Sequence, residues 1–143
     1  MNTYDRNYAL THSVLADDWL FDALIRWLAP QPGWRVLDVG CNTGELTARL
    51  AALQCQTLGL DLNAAAIALA QQRFPSRKFQ VGTLPELSAR DFDAIVSNHV
   101  IEHLLDLDGF LRAARERLRP GGRLVLVTPN RHAWIRRLLG APF

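Results

Sequence analysis

The chain has 143 residues, with 16 Lys and Arg against 14 Asp and Glu, a net charge of +2. Hydrophobic residues make up 49% and charged residues 21%, which excludes intrinsic disorder and fits one domain over residues 1–143. No apolar run approaches the ~20 residues of a membrane span, no leader-type stretch follows Met1, and the charge excess is too small for a nucleic-acid footprint, so a cytoplasmic protein with neither a membrane nor a nucleic-acid partner is expected.

Ser13 to Ala29 reads as an amphipathic helix with Leu20, Leu24 and Trp27 on one face, stopped by Pro30. Trp19, Trp27 and Tyr8 are candidates to cover a ligand, although packing on a sheet is the expectation for Trp27. Trp34 to Val39 has strand length and composition. Glu45 to Leu53 is rich in Ala and Leu and reads as a helix. Gln56 to Asp61 is a second strand. Asn63 to Phe74 opens on a capping residue and ends before Pro75, as a helix should. Lys78 to Val81 and Phe92 to Ser97 are the third and fourth strands. Leu107 to Leu118 is a helix, with Arg119-Pro120-Gly121-Gly122 as its terminator, and Arg123 to Thr128 is the fifth strand. A short helix is expected over 134–139. Such alternation implies a mostly parallel sheet covered by helices on both faces. Cys41 and Cys55 form neither a disulfide framework nor a zinc pattern, so reduced thiols are expected.

Chemistry concentrates in Val36-Leu37-Asp38-Val39-Gly40-Cys41-Asn42-Thr43-Gly44, a strand running into a tight turn before a helix. Gly40 and Gly44 admit a ligand close to the backbone. The spacing matches neither the dinucleotide fingerprint nor a phosphate loop, which would need a lysine. Asp38 instead suits a cationic ligand without pyrophosphate. Asp61, at the end of the second strand, is placed to accept hydrogen bonds from both hydroxyls of an adenosine ribose. Together the two aspartates favour S-adenosylmethionine (SAM) over a nicotinamide cofactor, and a nucleotide-dependent oxidoreductase is the disfavoured reading.

The segment 36–44 resembles motif I of class I SAM-dependent methyltransferases. Gly59-Leu60-Asp61-Leu62-Asn63 resembles their second motif, Ser97-Asn98-His99-Val100-Ile101-Glu102-His103-Leu104 the fourth-strand motif of their small-molecule branch, and Leu118-Arg119-Pro120-Gly121-Gly122-Arg123-Leu124 the lead into strand five. The resemblance covers about residues 13 to 130. It implies an α/β, doubly wound, Rossmann-like sheet, mostly parallel, in the order 3-2-1-4-5. By carry-over, Asp38, Gly40, Cys41 and Gly44 line the methionine part of SAM, Asp61 takes the ribose, Leu62 packs on adenine, and Asn98 sits near the methionine or sulfonium end. Asn42 stands at the usual middle glycine, where Asn tolerates left-handed backbone. Thr83 and Leu84 stand in the adenine segment, where the family commonly has Gly-Asp. The C-terminal hairpin of the family is missing, so the fifth strand is expected at a sheet edge that a partner or a second copy covers.

His99-Val100-Ile101-Glu102-His103 formally matches an inverted zinc-protease motif, but its strand-end setting argues against that chemistry. Some family members have a similar E-x-x-E-H segment and bind a divalent metal. Here His99 replaces the first Glu, and the expectation is no metal, with Glu102 and His103 orienting the loop or pairing locally. His99 is the candidate catalytic base, because it lies past the strand on the acceptor side and histidine suits proton removal near neutral pH. Cys41 has no adjacent base and is not expected to be a nucleophile. The expected function is methyl transfer from SAM to a small-molecule oxygen, nitrogen or carbon. The alternative is a truncated SAM-binding domain that needs a partner and does no chemistry alone.

Overall fold

The computed structural model describes residues 18–129. Tyr8, the start of the first helix at Ser13 and the helix expected over 134–139 lie outside the described residues.

Helix α1 spans Asp18–Leu28. Leu24 and Leu28, four residues apart, are fully buried, while Trp27 is 72% exposed. The expected packing of Trp27 on the sheet is thus corrected. One residue is a 100° step around a helix, so a face built on Leu24 and Leu28 turns Trp27 aside. Strand β1 (Arg35–Val39) follows, then α2 (Glu45–Ala52), β2 (Gln56–Asp61), α3 (Ala64–Arg73) and β3 (Lys78–Val81). Asn63 caps α3 as its side chain accepts from the N–H groups of Ala65 and Ala66. A single 3₁₀ turn, Leu84–Glu86, leads to β4 (Phe92–Asn98). A second, Ile101–His103, leads to α4 (Leu107–Arg117) and β5 (Leu118–Val127).

All four strand pairs are parallel, and the sheet order is β3-β2-β1-β4-β5. The chain builds outward from β1 to β3, then crosses back to lay β4 on the other side of β1. Alternation along the strands sends neighbouring side chains to opposite faces. Val36, Ala94 and Val96 face α1 and α2, where they pack with Leu24, Leu28, Leu46 and Leu50. Leu37, Val39, Leu60 and Ile95 face α4, where they pack with Phe110, Ala113 and Ala114. Each such aliphatic side chain contributes about 1.5–3 kcal/mol on burial.

One expected boundary moves. Phe92 pairs with Leu118 but Ala94 pairs with Arg123, so Asp93 alone faces the stretch 119–122. The Arg-Pro-Gly-Gly segment, read as a terminator, is a bulge inside β5. Asp93 holds it by accepting from Arg119 Nε at 2.6 Å and from the backbone N–H of Arg35 at 2.7 Å.

Candidate functional site

The carboxyl ends of β1, β2 and β4 meet where the chain reverses direction across the sheet, the usual place for a ligand in an open α/β fold. The register pairs Val39 with both Leu60 and Ser97. One residue further, Gly40 lies between Asp61 and Asn98, and all three occupy the same face as Asp38 one step below. The structure therefore brings together four of the predicted site residues from three strands.

The glycine loop is shaped by its own hydrogen bonds. The N–H groups of Gly40 and Cys41 both donate to Leu60 O, and that of Gly44 donates to Cys41 O. Gly40, Asn42 and Gly44 have φ of +77°, +47° and +84°. Asn42 thus takes the left-handed backbone expected of it. A side chain at Gly40 would run into Val100, and a Cβ at Gly44 would lie 2.6 Å from the Phe79 ring. Asp61 fastens the loop to β2. Its Oδ2 accepts from Asn42 N–H at 2.9 Å and its Oδ1 from Asn63 N–H at 2.8 Å. Each oxygen keeps a further lone pair.

Asp38 is 2% exposed, and its Oδ2 accepts from the Thr47 hydroxyl at 2.6 Å. Burial raises its pKa to about 7, the Thr47 hydroxyl opposes the rise, and the Asp61 charge adds to it. Asn98 is partly buried, and its Oδ1 is enclosed without a hydrogen-bond partner among the described residues. Buried polar atoms are nearly always paired, so an orphan acceptor here marks a place for a donor. Cys41 is buried, and burial followed by the charges of Asp38 and Asp61 pushes its thiol far up. The thiol is thus held in its neutral form.

Leu62, beside Asp61, is 68% exposed and presents an apolar surface to solvent. Thr83 is exposed, with its hydroxyl donating to Glu86 Oε2 at 2.7 Å. Leu84 is 2% exposed and belongs to the α4-side core. The 3₁₀ turn rotates its side chain inward, so it offers the crevice only its backbone. His99 lies just beyond β4, exposed and on the Asn98 side. Among the described residues, no group of three His, Cys, Asp or Glu side chains is arranged to hold a metal ion.

Two supporting residues escaped the sequence reading. Thr47 stands one turn into α2 under Asp38. Arg73, at the end of α3, donates to Thr43 O and Oγ1 and to Glu45 Oε2, clamping the loop to the start of α2. Neither pairing has a motif. Thr47 was legible only from the helical step that brings it back to the strand end, and Arg73 only from the fold.

A family model described as a methyltransferase domain matches residues 12–143. The chain belongs to the class I SAM-dependent methyltransferase family. Within it, trans-aconitate 2-methyltransferase of Deinococcus radiodurans is 42% identical over 105 residues, covering 71% of this chain and 40% of that one. The mitochondrial ubiquinone biosynthesis O-methyltransferase of Homo sapiens is 35% identical over 112 residues, covering 71% and 30%. The chain thus spans well under half the length of these relatives. Among solved structures, a TehB-like SAM-dependent methyltransferase from Corynebacterium glutamicum superposes with a TM-score of 0.66 at 32% identity, covering 85% of this methyltransferase-family chain and 66% of its own. Phosphoethanolamine N-methyltransferase 2 of Haemonchus contortus, solved with SAM, shares the fold with a TM-score of 0.73 at 21% identity, covering 87% and 32%.

Proposed function

We propose that this protein transfers a methyl group from SAM to a small-molecule acceptor. The carrying observation is the row of oxygen acceptors in the crevice. Asp38, Asp61 and the Oδ1 of Asn98, which has no partner among the described residues, line one face. A ligand rich in donors and positive charge fits this row, and a pyrophosphate does not. SAM brings an ammonium, a sulfonium and two ribose hydroxyls, and when bound it supplies an electrophilic methyl group.

On this reading Asp61 takes the ribose hydroxyls with its remaining lone pairs, and Leu62 forms one wall for the adenine. Asp38 and Asn98 accept from the methionine ammonium. Gly40, Cys41, Asn42 and Gly44 shape the loop without side-chain obstruction, and Thr83 with the Leu84 backbone borders the adenine. His99 takes the proton from the acceptor. Methyl transfer gains most from alignment of the reacting atoms, which a rigid loop supplies. The ubiquinone relative is named an O-methyltransferase, which supports oxygen as the acceptor atom.

We place the whole sequence in one SAM-binding unit, supported by the family match over residues 12–143. A cytoplasmic setting is supported by free Cys41 and Cys55 and by the absence, among the described residues, of a helix long and apolar enough to cross a membrane. A second reading is a SAM-binding domain that acts only with a partner or second copy along β5. It is favoured because β5 has one neighbour among the described strands.

Titration calorimetry with SAM tests the site. Binding is expected in the native chain, and Asp61→Ala should weaken it at least ~10-fold through the lost charge-assisted hydrogen bonds. Unchanged affinity in the variant, or preferential binding of a nicotinamide dinucleotide, would sink the proposal. Turnover by the purified chain on a panel of hydroxyl and carboxylate acceptors separates the two readings.

A further inference from the structure

The backbone of His99 is held in an uncommon state. Its φ is +55°, in the left-handed region that strains a non-glycine residue. Its N–H donates to Val127 O at 2.9 Å, so the end of β5 fixes the strained conformation. The imidazole Nδ1 then lies 3.3 Å from Glu102 Oε1. The other oxygen of Glu102 accepts from Thr128 Oγ1 at 3.2 Å. Side chains from the strand end, the following 3₁₀ turn and the end of β5 thus meet in a row. Glu102 faces both His99 and Thr128.

We propose that Glu102 is a positioning residue for His99, holding the imidazole with Nδ1 protonated and Nε2 free to take a proton from the methyl acceptor. The inference rests on the reading of His99 under the proposed function and deepens it. A neutral imidazole has one donor and one acceptor nitrogen, and a carboxylate beside Nδ1 demands the donor there. Thr128 donates to the other carboxylate oxygen and favours the direction that aims Oε1 at the ring. In the step served by this arrangement the acceptor's O–H bond breaks and its proton passes to Nε2. The freed electron pair forms the oxygen–carbon bond, while sulfur keeps the pair of the broken carbon–sulfur bond. Glu102 faces the resulting imidazolium, which later returns its proton to water. A ring paired at 3.3 Å in the free protein tightens readily when a ligand closes the site.

The test uses ¹⁵N NMR of the full chain at pH 9, with the His99 signals assigned by His99→Ala. The native protein should show the Nδ1–H tautomer in excess. Glu102→Ala should shift the population toward Nε2–H, and Thr128→Val should shift it the same way by less. In turnover assays Glu102→Ala should lower kcat about 10-fold with little change in KM, and should add no loss on a His99→Ala background. A tautomer population unmoved by Glu102→Ala overturns the proposal, as does an undiminished loss on the His99→Ala background. The spectroscopic arm needs no methyl transfer. A tautomer shift in a chain that binds SAM but turns over no acceptor therefore counts against the methyl-transfer reading and leaves the pairing standing.

Discussion

At the scale of single residues, Asp38 carries the clearest conflict between stability and function. Its carboxyl is buried against Thr47, and its pKa is raised to about 7. The folded state therefore binds a proton that the unfolded chain has already released between pH 4 and 7. Stability is fully present below the unfolded value and is lost as pH rises through about 7. Asp38→Asn keeps an acceptor for Thr47 and removes the buried charge. Urea unfolding should find the variant more stable than the native chain by about 2–4 kcal/mol at pH 8, and nearly equal at pH 4. On the proposed reading its affinity for SAM should also fall, because the ammonium loses a carboxylate partner. Equal stability at both pH values would contradict this account. Asp38 and Asp61 were both legible in the sequence, because a strand-loop-helix pattern fixes where their side chains stand. That one carboxyl would be enclosed while the other remained half open was not legible. This difference depends on Thr47 and on the depth of each residue below the strand ends.

At the scale of elements, the sequence pattern found every strand and helix in residues 18–129, with ends displaced by a residue or two. The exceptions have local causes. Pro85 and Glu86 turn the segment after β3 into a 3₁₀ turn, which buries Leu84. Gly121 and Gly122 punctuate β5 without ending it, because Asp93 supplies a partner for the looped-out chain. Burial pushes the Asp93 pKa up, but the bonds from Arg35 N–H and Arg119 outweigh it, and the net shift is downward. The stabilisation from Asp93 is thus present above the ordinary carboxylate range and fades as pH falls through it. Asp93→Ala should cost about 1–2 kcal/mol at pH 7 and markedly less at pH 3, measured by chemical unfolding. A cost independent of pH would show that packing, and not the charge, holds the bulge.

At the scale of the whole molecule, the two apolar layers share one sheet and should melt together. Leu24 lies in one layer and Ile95 in the other, both fully buried. Leu24→Ala and Ile95→Ala should each cost about 2–4 kcal/mol, and each should lower a single calorimetric transition. Two resolved transitions in either variant would show that the layers unfold separately. The order of the strands carries a last consequence. β1 is flanked by β2, its successor in the chain, and by β4, which arrives only after the excursion to β3. On the proposed reading, the two banks of the crevice are consequently written in separate blocks of the gene, most of the methyl-donor grip before residue 85 and the acceptor side after residue 98. A chimera that grafts the stretch 99–129 from a relative should, on the proposed reading, inherit that relative's taste in acceptors while keeping its own hold on the methyl donor.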